Sequence, residues 1–267
     1  MNQGFRHIIT KKDGQVLVIT INRPDVMNAI NEELSGEITQ ALDQARTDNE
    51  VRVLVLTGAG RAFCAGGQLK GPDREAFFAA EKPEEIRQAL MKIQEIVRSL
   101  ARTMKPTIAM VNGPAMGAGF GIALACDIRI ASEKAKFAES FTKIGVIPGT
   151  GDTWFLPRLV GLGKAAEIVF TGDTIDAAEA LRLGIVNRVV PSESLEEETM
   201  ALARKIAQGP PIALRLNKML LYRGLSTDLD GALDTIAAAA PITALSADKN
   251  EGIAAFEEKR QPRFRGE

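Results

Sequence analysis

Residues 51–56 read Val-Arg-Val-Leu-Val-Leu and break at Gly58-Ala59-Gly60; residues 107–111 read Thr-Ile-Ala-Met-Val and break at Asn112-Gly113-Pro114. Strands apolar at nearly every position must be covered on both faces, as in a parallel sheet with helices packed on each side. Those helices are legible. Asn31 can cap a helix whose apolar positions Leu34, Ile38, Ala41, Leu42 and Ala45 share one face. Pro83 suits a first helical position, ahead of Ile86, Leu90, Ile93, Val97 and Leu100. Upstream, Ile8-Ile9-Thr10 and Val16–Ile21 flank Asp13-Gly14, a hairpin signal. Residues 128–131 and 136–138 read as further strands, and 145–152 as a glycine-rich turn into Thr153-Trp154-Phe155-Leu156. Residues 71–83, polar with two prolines, read as a mobile loop. Repeated strand–loop–helix units predict an α/β fold. After Val190-Pro191 the pattern turns helical, with breaks expected at Gly209-Pro210-Pro211, Gly224 and Pro241. The chain is therefore divided into an α/β body, 1–195, and a C-terminal helical region, 196–267, whose alanines at 237–240 suit close helix packing.

Composition removes several functions. The 33 Lys and Arg balance 34 Asp and Glu, so no net field draws the chain to nucleic acid or an anionic membrane. Two cysteines, Cys64 and Cys126, are too few for a disulfide framework and read as small packing residues. The opening residues contain no apolar run and no stretch reaches a membrane-spanning length, so a cytoplasmic protein is expected. The single histidine, His7, excludes Ser-His-Asp and Cys-His catalysis, which need a positioned imidazole. No Cys-x-x-Cys or spaced histidine pair exists, so no metal is expected. His7 itself reads as an exposed residue on the first strand.

The two glycine-rich loops resemble phosphate cradles but fail the tests for them. Gly58-x-Gly60 is followed by Phe63 and Gly117-x-Gly119 by Ile122 where a dinucleotide fingerprint needs a third glycine. The Gly-Lys-Ser/Thr of a P-loop is absent. Two readings remain. The glycines allow tight turns and close helix–sheet packing, or they let a ligand approach backbone N–H groups, two of which on one oxygen form an oxyanion hole.

The chain is identified as resembling the crotonase, or enoyl-CoA hydratase/isomerase, superfamily. The resemblance rests on Asn22-Arg23-Pro24 with Asn28-Ala29-Ile30-Asn31, Gly58-x-Gly60-x-x-Phe63-Cys64-Ala65-Gly66-Gly67, and Asn112-Gly113-x-Ala115-x-Gly117-x-Gly119. Ala125-Cys126-Asp127-Ile128-Arg129, Gly145-Val146-Ile147-Pro148-Gly149, Leu156-Pro157-Arg158 and the tail from Glu251 to Phe264 extend it over most of the chain. The 145–158 stretch and the tail are most similar to isomerases of aromatic-acid (phenylacetate-type) degradation.

The resemblance implies a crotonase-like spiral of ββα units with a C-terminal helical oligomerisation region, assembled as a trimer or hexamer. It implies an acyl-CoA thioester substrate, with coenzyme A as part of the substrate rather than a separate cofactor. The thioester oxygen would sit between the N–H groups of Gly67 and Ala118, stabilising an enolate. Met27, Ala29, Ala65 and Lys70 match positions near coenzyme A, and Phe256 and Lys259 match tail residues that reach it, sometimes in a neighbouring subunit. Solvated charge at Lys70 and Lys259 and a core contact at Phe256 are the plainer readings. The family's two hydratase glutamates fall on Gly121 and Phe141, and the single isomerase carboxylate on Gly149; none can move a proton. Asp152, three residues on, is the expected acid/base group or else a helix N-cap, with Glu139 next in line. Double-bond isomerisation is the leading expectation. A 2-enoyl-CoA hydratase and a non-catalytic acyl-CoA-binding homologue are the alternatives.

Overall fold

A computed structural model describes residues 4–71, 74 and 76–267. The hairpin forms where Asp13-Gly14 places it: β1 (Ile8–Asp13) and β2 (Val16–Ile21) are antiparallel, with Asp13 opposite Val16 and Gly14 at φ 57°. The chain continues through α1 (Glu32–Thr47) to β3 (Val53–Gly58), then α2 (Ala76–Ala79) and α3 (Pro83–Arg102) to β4 (Thr107–Val111). A two-residue β5 (Ala115–Met116) leads into α4 (Ala118–Ala125), followed by β6 (Ile128–Ser132) and β7 (Lys136–Ala138). Next come α5 (Asp152–Val160), α6 (Leu162–Thr171), β8 (Ile175–Asp176), α7 (Ala177–Arg182) and β9 (Arg188–Val190). Helices alone complete the chain: α8 (Leu195–Ala207), α9 (Pro211–Gly224), α10 (Leu229–Ala244) and α11 (Ala247–Glu257).

The main sheet has the order β1-β2-β3-β4-β6-β9, parallel throughout except at the β1–β2 hairpin. A small second sheet, β5-β7-β8, stands beside it. Every residue of β3 is buried, as its sequence requires. Leu54 and Leu56 belong to the core shared with Ile38 and Leu42 of α1, Ile96 of α3 and Phe120 of α4. Val53 and Val55 belong to a second core with Leu195, Met200, Ala203 and Ala207 of α8. Each such aliphatic side chain contributes roughly 1.5–3 kcal/mol on burial. Asn31 caps α1 as expected, its Oδ1 accepting from Leu34 N at 2.9 Å.

The division at 195 falls at the start of α8, which packs on the sheet; α9, α10 and α11 extend beyond it. A buried polar network ties α9 to the body. Lys218 Nζ lies 2.8 Å from Asp127 Oδ2 and donates to the Lys105 carbonyl at 3.0 Å, while Tyr222 donates to Asp127 Oδ1 at 2.7 Å. Further out, Leu221, Leu229, Leu245 and Phe256 are 73–86% exposed.

Three expectations are corrected or bounded. His7 is only 7% exposed: α1 crosses it, and its Nε2 lies 2.9 Å from Glu33 Oε2. Pro241 does not end α10, which runs on to Ala244; the proline lacks the N–H that would bond to the Ala237 carbonyl, and the helix continues for three residues beyond it. Of the segment read as a mobile loop, residues 72, 73 and 75 lie outside the described residues, as do residues 1–3 of the opening segment, while Ala76–Ala79 is helical. No helix among the described residues is long and apolar enough to cross a membrane.

Candidate active site

Three backbone segments run side by side beyond the ends of β2, β3 and β4. Met27 and Asn28 adopt left-handed conformations (φ 54° and 58°) that turn the chain under the first glycine loop. Asn28 fixes this turn: its Oδ1 accepts from Arg23 N at 2.9 Å, and its Nδ2 donates to the carbonyls of Ala59 and Ala62 at 2.8 and 2.7 Å. Ile30 N then donates to Gly66 O (2.7 Å), Gln68 N to Ile30 O (2.8 Å), and Ala65 N to Met27 O (3.0 Å). The second glycine loop lies on the other side, joined by Met116 N to Cys64 O at 2.9 Å. Gly119 is required there, since a Cβ would stand 2.2 Å from Cys64 O.

The N–H groups of Gly67 and Ala118 remain. Neither meets an acceptor among the described residues. Ala118 is the first residue of α4, where the helix end adds positive potential. The two loops touch, for a Cβ on Gly66 would lie 3.6 Å from Ala118 N. Met27, Ala29 and Ala65 are brought together beside these donors, and Lys70 lies exposed two residues beyond Gln68. Phe256 and Lys259 are not: Phe256 is 85% exposed near the end of α11, and neither residue borders the cavity described next. Cys64 and Cys126 are buried, and burial pushes both thiols up to about 12, which suits packing residues.

A cavity of about 360 Å³ opens from Gly67 and Ala118. Phe77 and Phe78 of α2, Ile86, Leu90 and Ile93 of α3, Phe141, Val146 and Ile147 surround it, and Gly149 and Thr150 complete the wall. The Phe141 ring lies at this wall, as its position in the motif implied, and among the described residues no carboxylate lines the cavity. Phe77 and Phe78 were missed by the sequence reading. Their signal was an apolar quartet, Ala-Phe-Phe-Ala, inside an otherwise polar stretch.

Asp152 and Glu139 lie behind that wall, both fully buried. Asp152 is not the cap of α5. Gly151 holds that place at φ 85°, and Asp152 is the first helical residue. Its Oδ2 instead accepts from Thr150 N at 3.0 Å and from Thr150 Oγ1 at 2.8 Å. Gly121 leaves the room for this, since a Cβ there would stand 2.2 Å from Thr150 Oγ1 and 2.4 Å from Asp152 Oδ1. Asp152 Oδ1 and both Glu139 oxygens find no donor among the described residues, and the two carboxyls face each other within hydrogen-bonding reach. A proton between them satisfies both. Burial pushes both carboxyls above their ordinary range; the charge of Asp152 adds to the effect at Glu139, raising it to about 10.

This geometry sets a pH dependence. Between about 4.5 and 10 the native protein holds a proton on Glu139 that the unfolded chain releases, so stability present below pH 4.5 declines as pH rises through that window. The slope for one proton is at most about 1.4 kcal/mol per pH unit. Thermal midpoints are expected to fall from pH 5 to pH 9, and Glu139→Gln to flatten the fall. Parallel curves for the two proteins would show that Glu139 is not the group responsible.

A pair of backbone donors at the mouth of an apolar cavity, carried on a parallel sheet with a small side sheet, defines the class of protein. The family model described as Enoyl-CoA hydratase/isomerase matches residues 11–267, and the chain belongs to that family. It is 38% identical to the crotonyl-CoA hydratase of Syntrophomonas wolfei over 262 residues, covering 98% of each chain. It is 37% identical to the 1,2-epoxyphenylacetyl-CoA isomerase of Escherichia coli, covering 97% of this chain and 98% of the other. The fold matches an enoyl-CoA hydratase crystal structure from Bacillus anthracis with a TM-score of 0.93 at 38% identity, covering 98% of this chain and all of that one. The crotonase fold expected from the sequence is the one observed, and the chain is an enzyme of a family acting on enoyl-CoA.

Proposed function

We propose that this enzyme moves a carbon–carbon double bond within an enoyl-CoA thioester. The thioester oxygen would sit between Gly67 N–H and Ala118 N–H, where the enolate charge develops. Asp152 would take a proton from one carbon and return it to another. Met27, Ala29, Ala65 and Lys70 would hold coenzyme A, which enters only as part of the substrate. The observation that carries this reading is the wall: Phe141 and Gly121 stand at the positions of the two hydratase glutamates, and among the described residues no carboxylate lines the cavity. Hydration needs a water held and polarised beside the double bond, and a phenyl ring cannot hold one.

The test offers crotonyl-CoA and a 3-enoyl-CoA in parallel and follows absorbance of the conjugated thioester. Absorbance is expected to rise with the 3-enoyl substrate and to change only slowly with crotonyl-CoA. Hydration approaching an efficient enzyme, with kcat/KM near about 10⁸ M⁻¹s⁻¹, would defeat the isomerase reading in favour of a hydratase.

The exposed apolar side chains of α9, α10 and α11 support a further part of the proposal, a trimer or hexamer in which tails pack between subunits and bring Phe256 and Lys259 to a neighbouring site. Light scattering is expected to give a multiple of three chains. A monomer at micromolar concentration would count against it.

A further inference from the structure

The carboxyl proposed to move the proton is sealed behind the cavity wall, which leaves open how it reaches the substrate. Thr150 bridges that gap. It borders the cavity with Phe141 and Gly149, and its Oγ1 is 2.8 Å from Asp152 Oδ2. The hydroxyl also stands within 2.2 Å of where a Cβ of Gly121 would lie, so it occupies the place from which the family's first glutamate would enter the site. Three oxygens of this pair, Asp152 Oδ1 and both of Glu139, find no donor among the described residues outside the pair. Fully buried unpaired acceptors of this kind are costly and call for a proton.

We propose that Glu139 and Asp152 form a carboxyl pair sharing one proton, and that Thr150 is the hydroxyl through which the pair exchanges a proton with the carbon of the bound thioester. This rests on the enolate chemistry proposed above. As a proton leaves the carbon for Thr150 Oγ1, the hydroxyl's own proton passes to Asp152 Oδ2; the electron pair of the broken C–H bond moves into the enolate held by Gly67 and Ala118. Return of a proton runs the same path backwards, so no other reactant is consumed. Thr150 is the group that meets the substrate. Asp152 accepts through it, and Glu139 is a positioning residue that stabilises the Asp152 carboxylate by donating to it. Around the pair, α4 carries no titratable side chain, Arg158 of α5 lies over the Trp154 ring, Lys143 pairs with Asp173 at the surface, and Arg98 of α3 donates to Gln94, which in turn donates to Gly149 O. The charge of Asp152 acts on Glu139, and Glu139 acts on Asp152 through a hydrogen bond.

Solvent-deuterium exchange at the carbon next to the thioester of a saturated acyl-CoA provides the test. It needs only the oxyanion hole and the base, so it reads the relay even if isomerisation itself is not the reaction. Thr150→Val is expected to slow exchange by roughly 10²–10⁴-fold with an intact fold, and Thr150→Ser to restore it to within about tenfold of the parent. The acidic limb of the exchange rate is expected to stay in place in Glu139→Gln, which still donates an N–H to Asp152. It is expected to move up by about one pH unit or more in Glu139→Leu, which does not. Unchanged exchange in folded Thr150→Val, or coincident limbs in the two Glu139 variants, would overturn the proposal. Exchange that follows this pattern without any double-bond migration would keep the relay and discard the isomerase reading.

Discussion

Asp152→Asn is expected to leave the protein at least as stable as its parent and to cut turnover by roughly 10²–10⁴-fold, the usual worth of a positioned base. The amide oxygen can accept from Thr150 N and Oγ1 as the carboxylate does, and its NH₂ can donate to Glu139. Replacing a buried charge by a neutral group of the same shape also removes a desolvation cost. A loss of activity at constant thermal midpoint therefore reports chemistry, not packing. An Asn variant that turns over the true substrate at the parent rate would show that the Asp152 carboxylate only braces Thr150. The same measurement made across pH separates a lost base from a misplaced one, because a lost base takes its acidic limb with it.

Gly67→Pro is expected to remove one of the two oxyanion donors and to lower kcat by about 10²–10³-fold, or about 2.7–4 kcal/mol of transition-state stabilisation. The side chain adds a complication of its own, since a Cβ at 67 would stand 2.7 Å from the Phe78 ring edge. Gly67→Ala adds the same carbon and keeps the N–H, so the ratio between the two variants isolates the donor. Ala118→Pro is the companion change at the other donor, at a first helical position where proline removes no helical hydrogen bond. Circular dichroism confirms the fold in each case. A folded Gly67→Pro protein as active as Gly67→Ala would take Gly67 out of the mechanism.

The fold was legible because its signals are local. Apolar runs such as Val53–Gly58, a capping asparagine at 31 and a turn glycine at 14 each act within a few residues, and the structure uses them so. The glycine loops were legible for a similar reason: small residues must stand where backbones approach, and Gly66 and Gly119 announce it in sequence. The cavity wall was not. Phe77 and Phe78 come from a four-residue helix too short to show a period, and they meet Leu90 and Ile147 only through the tertiary fold. The surroundings of Asp152 were hidden for the same reason. Its proximity in sequence to Thr150 was visible, but its contact with Glu139, thirteen positions earlier and on another element, depends on how the turn after β7 folds back toward α5.

Gly121 carries a consequence for how such sites diversify. The space a glutamate would need at that position is already filled by Thr150 and Asp152, at 2.2 and 2.4 Å from its first carbon. A side chain at 121 and the present placement of Thr150 and Asp152 therefore compete for one space. Substitutions at 121 and 152 are therefore expected to be coupled, the effect of one depending on whether the other is already present.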